Sequence, residues 1–136
     1  MRILVIDDNT DNVDSMARLL RYDGYEVSAA YCGSVALELA EIDPPDAVLS
    51  DISMPGMDGY EVARQLRRMF HGRLLLIAVT ALSLEEDRMR SRQAGFDRHL
   101  VKPVDVEEVR KLLAAARVDL LLRQSVSDKT DQSSAR

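Results

Sequence analysis

The chain has 136 residues, which suffices for one domain with a real core, and its 46% hydrophobic and 30% charged residues are ordinary for a globular protein. Aromatic content is 4% with no Trp, so a mainly aliphatic core is expected. A net charge of -5 excludes a global electrostatic footprint for nucleic acid, a single cysteine, Cys32, excludes a disulfide framework, and no apolar stretch approaches the ~18 residues of a membrane span.

The first strand pattern begins at once, over 2–7, with no signal-peptide pattern before it, so a cytoplasmic, non-membrane setting is expected. Further strands are predicted over 26–30, 46–51, 74–80 and 98–101. The first, third and fourth are nearly continuous apolar runs, as in strands covered on both faces. The second and fifth are shorter and more mixed, which suits edges. Helix signals lie between them. Thr10 and Asp11 offer caps for the first helix, and Asp23-Gly24 ends it. Pro44-Pro45 blocks the second. Asp58 with Glu61, Ser83 with Glu86 and Asp105 with Glu108 have capping-box spacing. Gly72 and Gly95 stand at expected C-terminal caps. Val109, Leu112, Leu113 and Ala116 form a one-faced stripe on the last helix.

Strict β-α alternation predicts a doubly wound α/β fold with a parallel sheet. A strand order of 2-1-3-4-5 would place the first and third strands side by side at the switch point. The ordered domain is expected over 1–117. From about Val118 a helical extension and then a polar, disordered tail are expected, to residue 136. Leu120-Leu121-Leu122 either finishes the last helix or forms a truncated linker or small association surface. About 15–20 residues beyond Val118 are too few for a helix-turn-helix fold, so direct nucleic-acid contact is not expected.

The strand ends carry the chemistry. Asp7-Asp8 close the first strand, Asp51 the third, Thr80 the fourth and Lys102-Pro103 the fifth. Bare clustered carboxylates repel, and a divalent cation removes the conflict. Mg²⁺ prefers oxygen ligands and bridges carboxylates to phosphate. Asp8 and Asp51 are the expected direct ligands, Asp7 a ligand through water, and the Ser53 carbonyl a further donor. No Cys/His cluster suggests zinc. A strand-end carboxylate can act as nucleophile toward a phosphoryl group, for which positioning and electrostatics dominate. Lys102 would neutralise one phosphoryl oxygen, Thr80 would donate to another, and Ala81 leaves room for entry. Each element alone has a plain structural explanation, such as a solvated acid pair or a Lys-Pro turn. Their joint occurrence at four strand ends carries the argument.

These pieces resemble the receiver domain of two-component response regulators. The matching segments are Ile3-Leu4-Val5-Ile6-Asp7-Asp8-Asn9, Ser50-Asp51-Ile52-Ser53-Met54-Pro55-Gly56-Met57-Asp58-Gly59, Val79-Thr80-Ala81 and Gly95-Phe96-Asp97-Arg98-His99-Leu100-Val101-Lys102-Pro103. They span about residues 1–117. The stretch from Gly95 through Pro103-Val104-Asp105 is similar to receivers of hybrid sensor kinases. The resemblance implies a flavodoxin-like (βα)5 fold and a signalling protein, not an enzyme. Asp51 would be phosphorylated by a histidine kinase or histidine phosphotransfer protein. Asp7 and Asp8 would serve Mg²⁺, Thr80 and Lys102 would sense the phosphoryl, and Lys102–Pro103 would be cis. Asp58 and Gly59 would shape the loop after the acceptor. The face of the fourth helix, fifth strand and fifth helix, including Arg88, Arg92, His99, Arg110 and Lys111, would bind a downstream protein. The expected state is a monomer or a weak phosphorylation-dependent dimer.

Two positions depart from the family. The switch position three before the lysine, usually Tyr or Phe, is His99. It either swings inward behind Thr80 or remains a half-exposed edge residue. Leu82 and Ser53 flank the expected water path, and an apolar Leu82 cannot orient water, so slow self-dephosphorylation is expected. The alternatives are a receiver-like interaction module that takes no phosphoryl, or an aspartyl-phosphate phosphatase. The latter class usually places its nucleophile in two acids separated by one residue on the first strand, and this chain does not.

Overall fold

The computed structural model describes residues 1–71 and 73–134. Residues 1–104 and 105–136 form two compact units. The first contains β1 (Arg2–Ile6), α1 (Thr10–Tyr22), β2 (Glu26–Ala30), α2 (Gly33–Ile42), β3 (Ala47–Ser50), α3 (Gly59–Phe70), β4 (Leu75–Thr80), α4 (Glu85–Ala94) and β5 (Arg98–Val101). The strands form one parallel sheet in the order β2-β1-β3-β4-β5, as the alternation predicts, with the two mixed strands at its edges. The strand ends fall within a residue of expectation. β1 stops at Ile6, and β3 covers 47–50.

The sheet's pleat sorts the core. Leu4, Ile6, Val48, Leu76 and Ala78 share a cluster with Ala36 and Ala40 of α2, Val62, Ala63 and Leu66 of α3, and Ala94 of α4. Helix α1 buries Val13, Ala17 and Leu20. Arg67 of α3 ties distant segments together. Its guanidinium donates to the Gly95 carbonyl at 2.9 Å, the Leu74 carbonyl at 2.6 Å and the Asp97 carboxylate at 2.7 Å. Asp97 also accepts the Leu76 N–H at 2.8 Å.

Several caps differ from expectation. Asn9, not Thr10 or Asp11, caps α1, its side chain accepting the Asn12 N–H at 3.1 Å. Asn9 has extended backbone, and Thr10 is already inside the helix. Ser83 does not cap α4. That helix starts one residue later, with Leu84 at the cap and its N–H donated to Asp87 at 3.1 Å. Asp58 caps α3 as expected, through Glu61 N–H at 3.0 Å. His71 takes the left-handed position after α3 (φ 43°), one residue before Gly72, which lies outside the described residues. Gly95 ends α4 at φ 119°.

The second unit is α5 (Val106–Ser134). Asp105 starts it by accepting the Glu107 N–H at 2.9 Å. The helix runs through residues 124–134, where the composition predicted disorder. No Pro or Gly in that stretch stops it. Val109 and Leu113 are buried, while Val118, Leu121 and Leu122 are more than half exposed. Among the described residues no helix is long and apolar enough to cross a membrane.

Candidate functional site

Register builds the site. Ile6 pairs with Ser50, so the next residues, Asp7 and Asp51, leave adjacent central strands at the same level. The Asp7 N–H donates to the Ala30 carbonyl at 3.2 Å, and the Asp51 N–H donates to the Ile6 carbonyl at 2.9 Å. Thr80 pairs with Val101, and the Lys102 N–H donates to the Thr80 carbonyl at 2.9 Å. The Lys102–Pro103 bond is cis.

The ammonium of Lys102 reaches across the sheet end, 2.9 Å from one Asp7 oxygen and 3.0 Å from Asp51 Oδ2. The remaining carboxylate oxygens are held by backbone. Asp7 Oδ1 accepts the Asn9 N–H at 3.0 Å. Asp51 Oδ1 accepts the Ile52 N–H at 2.6 Å and the Ser53 N–H at 3.3 Å. Asp7 and Asp51 are buried, whereas Asp8 and Ser53 are exposed. Burial works against the charged form of Asp7, but the Asn9 N–H and the Lys102 ammonium outweigh it and hold its carboxyl below the ordinary value. Burial likewise opposes the charge on Lys102, yet its bonds to Asp7 and Asp51 hold it above the ordinary lysine value.

Asp7, Asp8 and Asp51 can each offer a carboxylate oxygen, all within 4.8 Å of one another. An all-oxygen donor set of this size fits a hard divalent cation. Gly59 lets the loop close over the acceptor. Its N–H donates to the Ile52 carbonyl at 2.8 Å, and a Cβ there would collide with the Asp51 carbonyl.

Thr80 and His99 both meet the Leu82 peptide. Thr80, 1% exposed, accepts the Leu82 N–H through Oγ1 at 3.3 Å. His99 Nε2 lies 2.6 Å from the Leu82 carbonyl. A carbonyl only accepts, so Nε2 carries the proton. His99 Nδ1 is buried and has no partner among the described residues. His99 is half-buried on β5, and Leu82 packs against the core cluster. Arg88, Arg92 and Lys111 are exposed, and Arg110 is half-buried and pairs with Glu107 at 2.8 Å. The sequence reading missed two residues. Ser50 Oγ donates to the Asp51 carbonyl at 2.8 Å, and Arg67 anchors the turn before β5.

A parallel sheet with acids at the ends of β1 and β3 and a lysine after β5 defines a receiver. The sequence matches the family described as "response regulator receiver domain" over residues 3–114, and the chain belongs to that family. It is 40% identical over 128 residues to the response regulator MprA of Mycolicibacterium vanbaalenii, covering 94% of this chain and 53% of that protein. It is 39% identical over 132 residues to the transcriptional regulatory protein PrrA of Mycobacterium tuberculosis, covering 97% and 54%. The chain thus spans about half the length of these relatives. A CheY-like receiver domain protein from Methanospirillum hungatei superposes with a TM-score of 0.77 at 30% identity, over 87% of this chain and 97% of that one. The chemotaxis protein CheY4 of Vibrio cholerae gives 0.79 at 27% identity, over 85% and 97%.

Proposed function

We propose that this chain is a phosphoacceptor switch in which Asp51 takes a phosphoryl group from a phosphohistidine of a histidine kinase or phosphotransfer protein. The observation that carries the reading is the Asp7–Lys102–Asp51 arrangement, with Asp8 beside it. Asp51 Oδ1 is occupied by two backbone N–H groups, so Oδ2 is the attacking oxygen. It forms a bond to phosphorus as the donor's P–N bond breaks, and the imidazole nitrogen leaves with the electron pair. Lys102 already neighbours that oxygen and would remain on the phosphoryl group. Asp8 and Asp51, with Asp7 through water and the Ser53 carbonyl, would hold Mg²⁺. When bound, the ion would neutralise charge on the transferring group.

The output is a change at Leu82. The Thr80 hydroxyl proton is available to a phosphoryl oxygen, because in the resting state Oγ1 only accepts from the Leu82 N–H. A shift of Thr80 would pull on the Leu82 peptide and therefore on His99. That remodels the surface of α4 and β5 for a downstream protein. A shift from 1:99 to 99:1 requires about 5.5 kcal/mol of differential stabilisation. Leu82 offers no polar group from its side chain to orient attacking water, which supports a long-lived phosphoryl state.

The test is intact mass after incubation with Mg²⁺ and a small phosphodonor. The wild type is expected to gain one phosphoryl group, and Asp51→Asn none. An adduct that survives Asp51→Asn contradicts the acceptor assignment. No adduct on the wild type favours an interaction module that takes no phosphoryl.

A further inference from the structure

Ser50 is the last residue of β3 and is 1% exposed. Its strand neighbours across the sheet are Ile6 and Ala78, both core residues. An apolar side chain of the same size would fit these surroundings without the cost of burying a hydroxyl. The hydroxyl is instead spent on one bond, to the main-chain carbonyl of Asp51 at 2.8 Å.

That carbonyl belongs to the peptide plane that holds the acceptor. The 51–52 peptide is rigid, so fixing its oxygen fixes the Ile52 N–H at its other side. The Ile52 N–H donates to Asp51 Oδ1 at 2.6 Å. Gly59 approaches the same carbonyl closely enough that a methyl group there would collide with it. The carbonyl is therefore bonded by Ser50, and the Gly59 position leaves no room for a side chain beside it.

We propose that Ser50 is a positioning residue for the phosphoacceptor. Its hydroxyl orients the 51–52 peptide, which occupies Oδ1 and leaves Oδ2 aimed at Lys102 and the incoming phosphoryl group. The inference rests on the reading of Asp51 as acceptor.

The experiment compares wild type, Ser50→Ala and Ser50→Thr in the full chain. Labelling by acetyl phosphate is followed by intact mass, with the donor and Mg²⁺ varied separately. Ile52 amide exchange is read by NMR, and thermal midpoints are measured alongside. Ser50→Ala is expected to lower the maximal labelling rate about tenfold, because a misaimed nucleophile loses rate rather than binding. Its half-saturating donor and Mg²⁺ concentrations should stay within about twofold of wild type, a split that a binding defect would not give. The Ile52 amide should exchange faster in Ser50→Ala. Ser50→Thr keeps the hydroxyl and should recover the rate to within about threefold. Wild-type labelling by Ser50→Ala overturns the proposal while leaving Asp51 as acceptor. Equal loss in Ser50→Ala and Ser50→Thr also overturns it, since volume and not the hydroxyl would then matter. A wild type that takes no phosphoryl overturns both readings.

Discussion

Helices α3 and α4 have similar lengths and opposite attachments. Helix α3 buries Gly59, Tyr60, Val62, Ala63 and Leu66, whereas α4 buries only Ser91 and Ala94. The first follows the acceptor loop and is part of the core cluster over most of its length. The second follows Thr80 and adds polar contacts to its two buried residues. Arg90 sits 4.5 Å over the Tyr60 ring, and Arg67 braces the Gly95 turn. Elements with few buried apolar contacts open at lower free energy. The site thus joins a well-buried half, which carries the proposed acceptor, to a sparsely buried half that can respond.

The contrast can be broken by substitution. Leu66→Ala should destabilise the protein most, by about 3 kcal/mol, because Leu66 is fully buried in α3. Denaturant unfolding reads this directly, and a loss below about 1 kcal/mol would mean that α3 is not the anchored helix. Lys102→Met comes next. It leaves the Asp7 and Asp51 carboxylates without their shared ammonium, and a loss of about 2 kcal/mol is expected in chelator. Mg²⁺ should then raise the melting temperature of Lys102→Met more than that of wild type, because the ion replaces the missing positive charge. An equal Mg²⁺ response in the two proteins would count against a shared metal and lysine site. Ser91→Ala should have the smallest effect and the opposite sign. The Ser91 hydroxyl is buried without a partner among the described residues, so removing it should be neutral or stabilise by up to about 1 kcal/mol. Substantial destabilisation would place α4 in a tighter environment than its burial pattern indicates.

The sheet was legible because β1, β3 and β4 are apolar runs with no competing periodicity, and because acids follow β1 and β3 at once, as Lys102 follows β5. Asp7, Asp8, Asp51 and Lys102 could be grouped from the strand order alone. The α1 cap was not legible. Asn9, Thr10 and Asp11 can all cap, and the extended backbone at Asn9, with Thr10 already helical, decides among them. Leu84 at the α4 cap has no side-chain signal, since its backbone N–H donates to the Asp87 carboxylate instead. The Arg67–Asp97 pair joins residues 30 apart, and nothing local marks it. Ser50 was visible as a polar residue in an apolar run, but the target of its hydroxyl depends on the turn that follows. His99 was recognised as a departure, yet only the fold shows that its ring meets the Leu82 carbonyl.

Hydrogen exchange with and without the phosphodonor, in wild type and Asp51→Asn, tests the coupling of the two halves most directly. The prediction is altered protection over residues 80–94 in phosphorylated wild type, little change over 59–70, and no change in Asp51→Asn. Phosphorylation of Asp51 that leaves 80–94 untouched, or that alters 59–70 equally, would contradict a rigid acceptor half driving a mobile responding half.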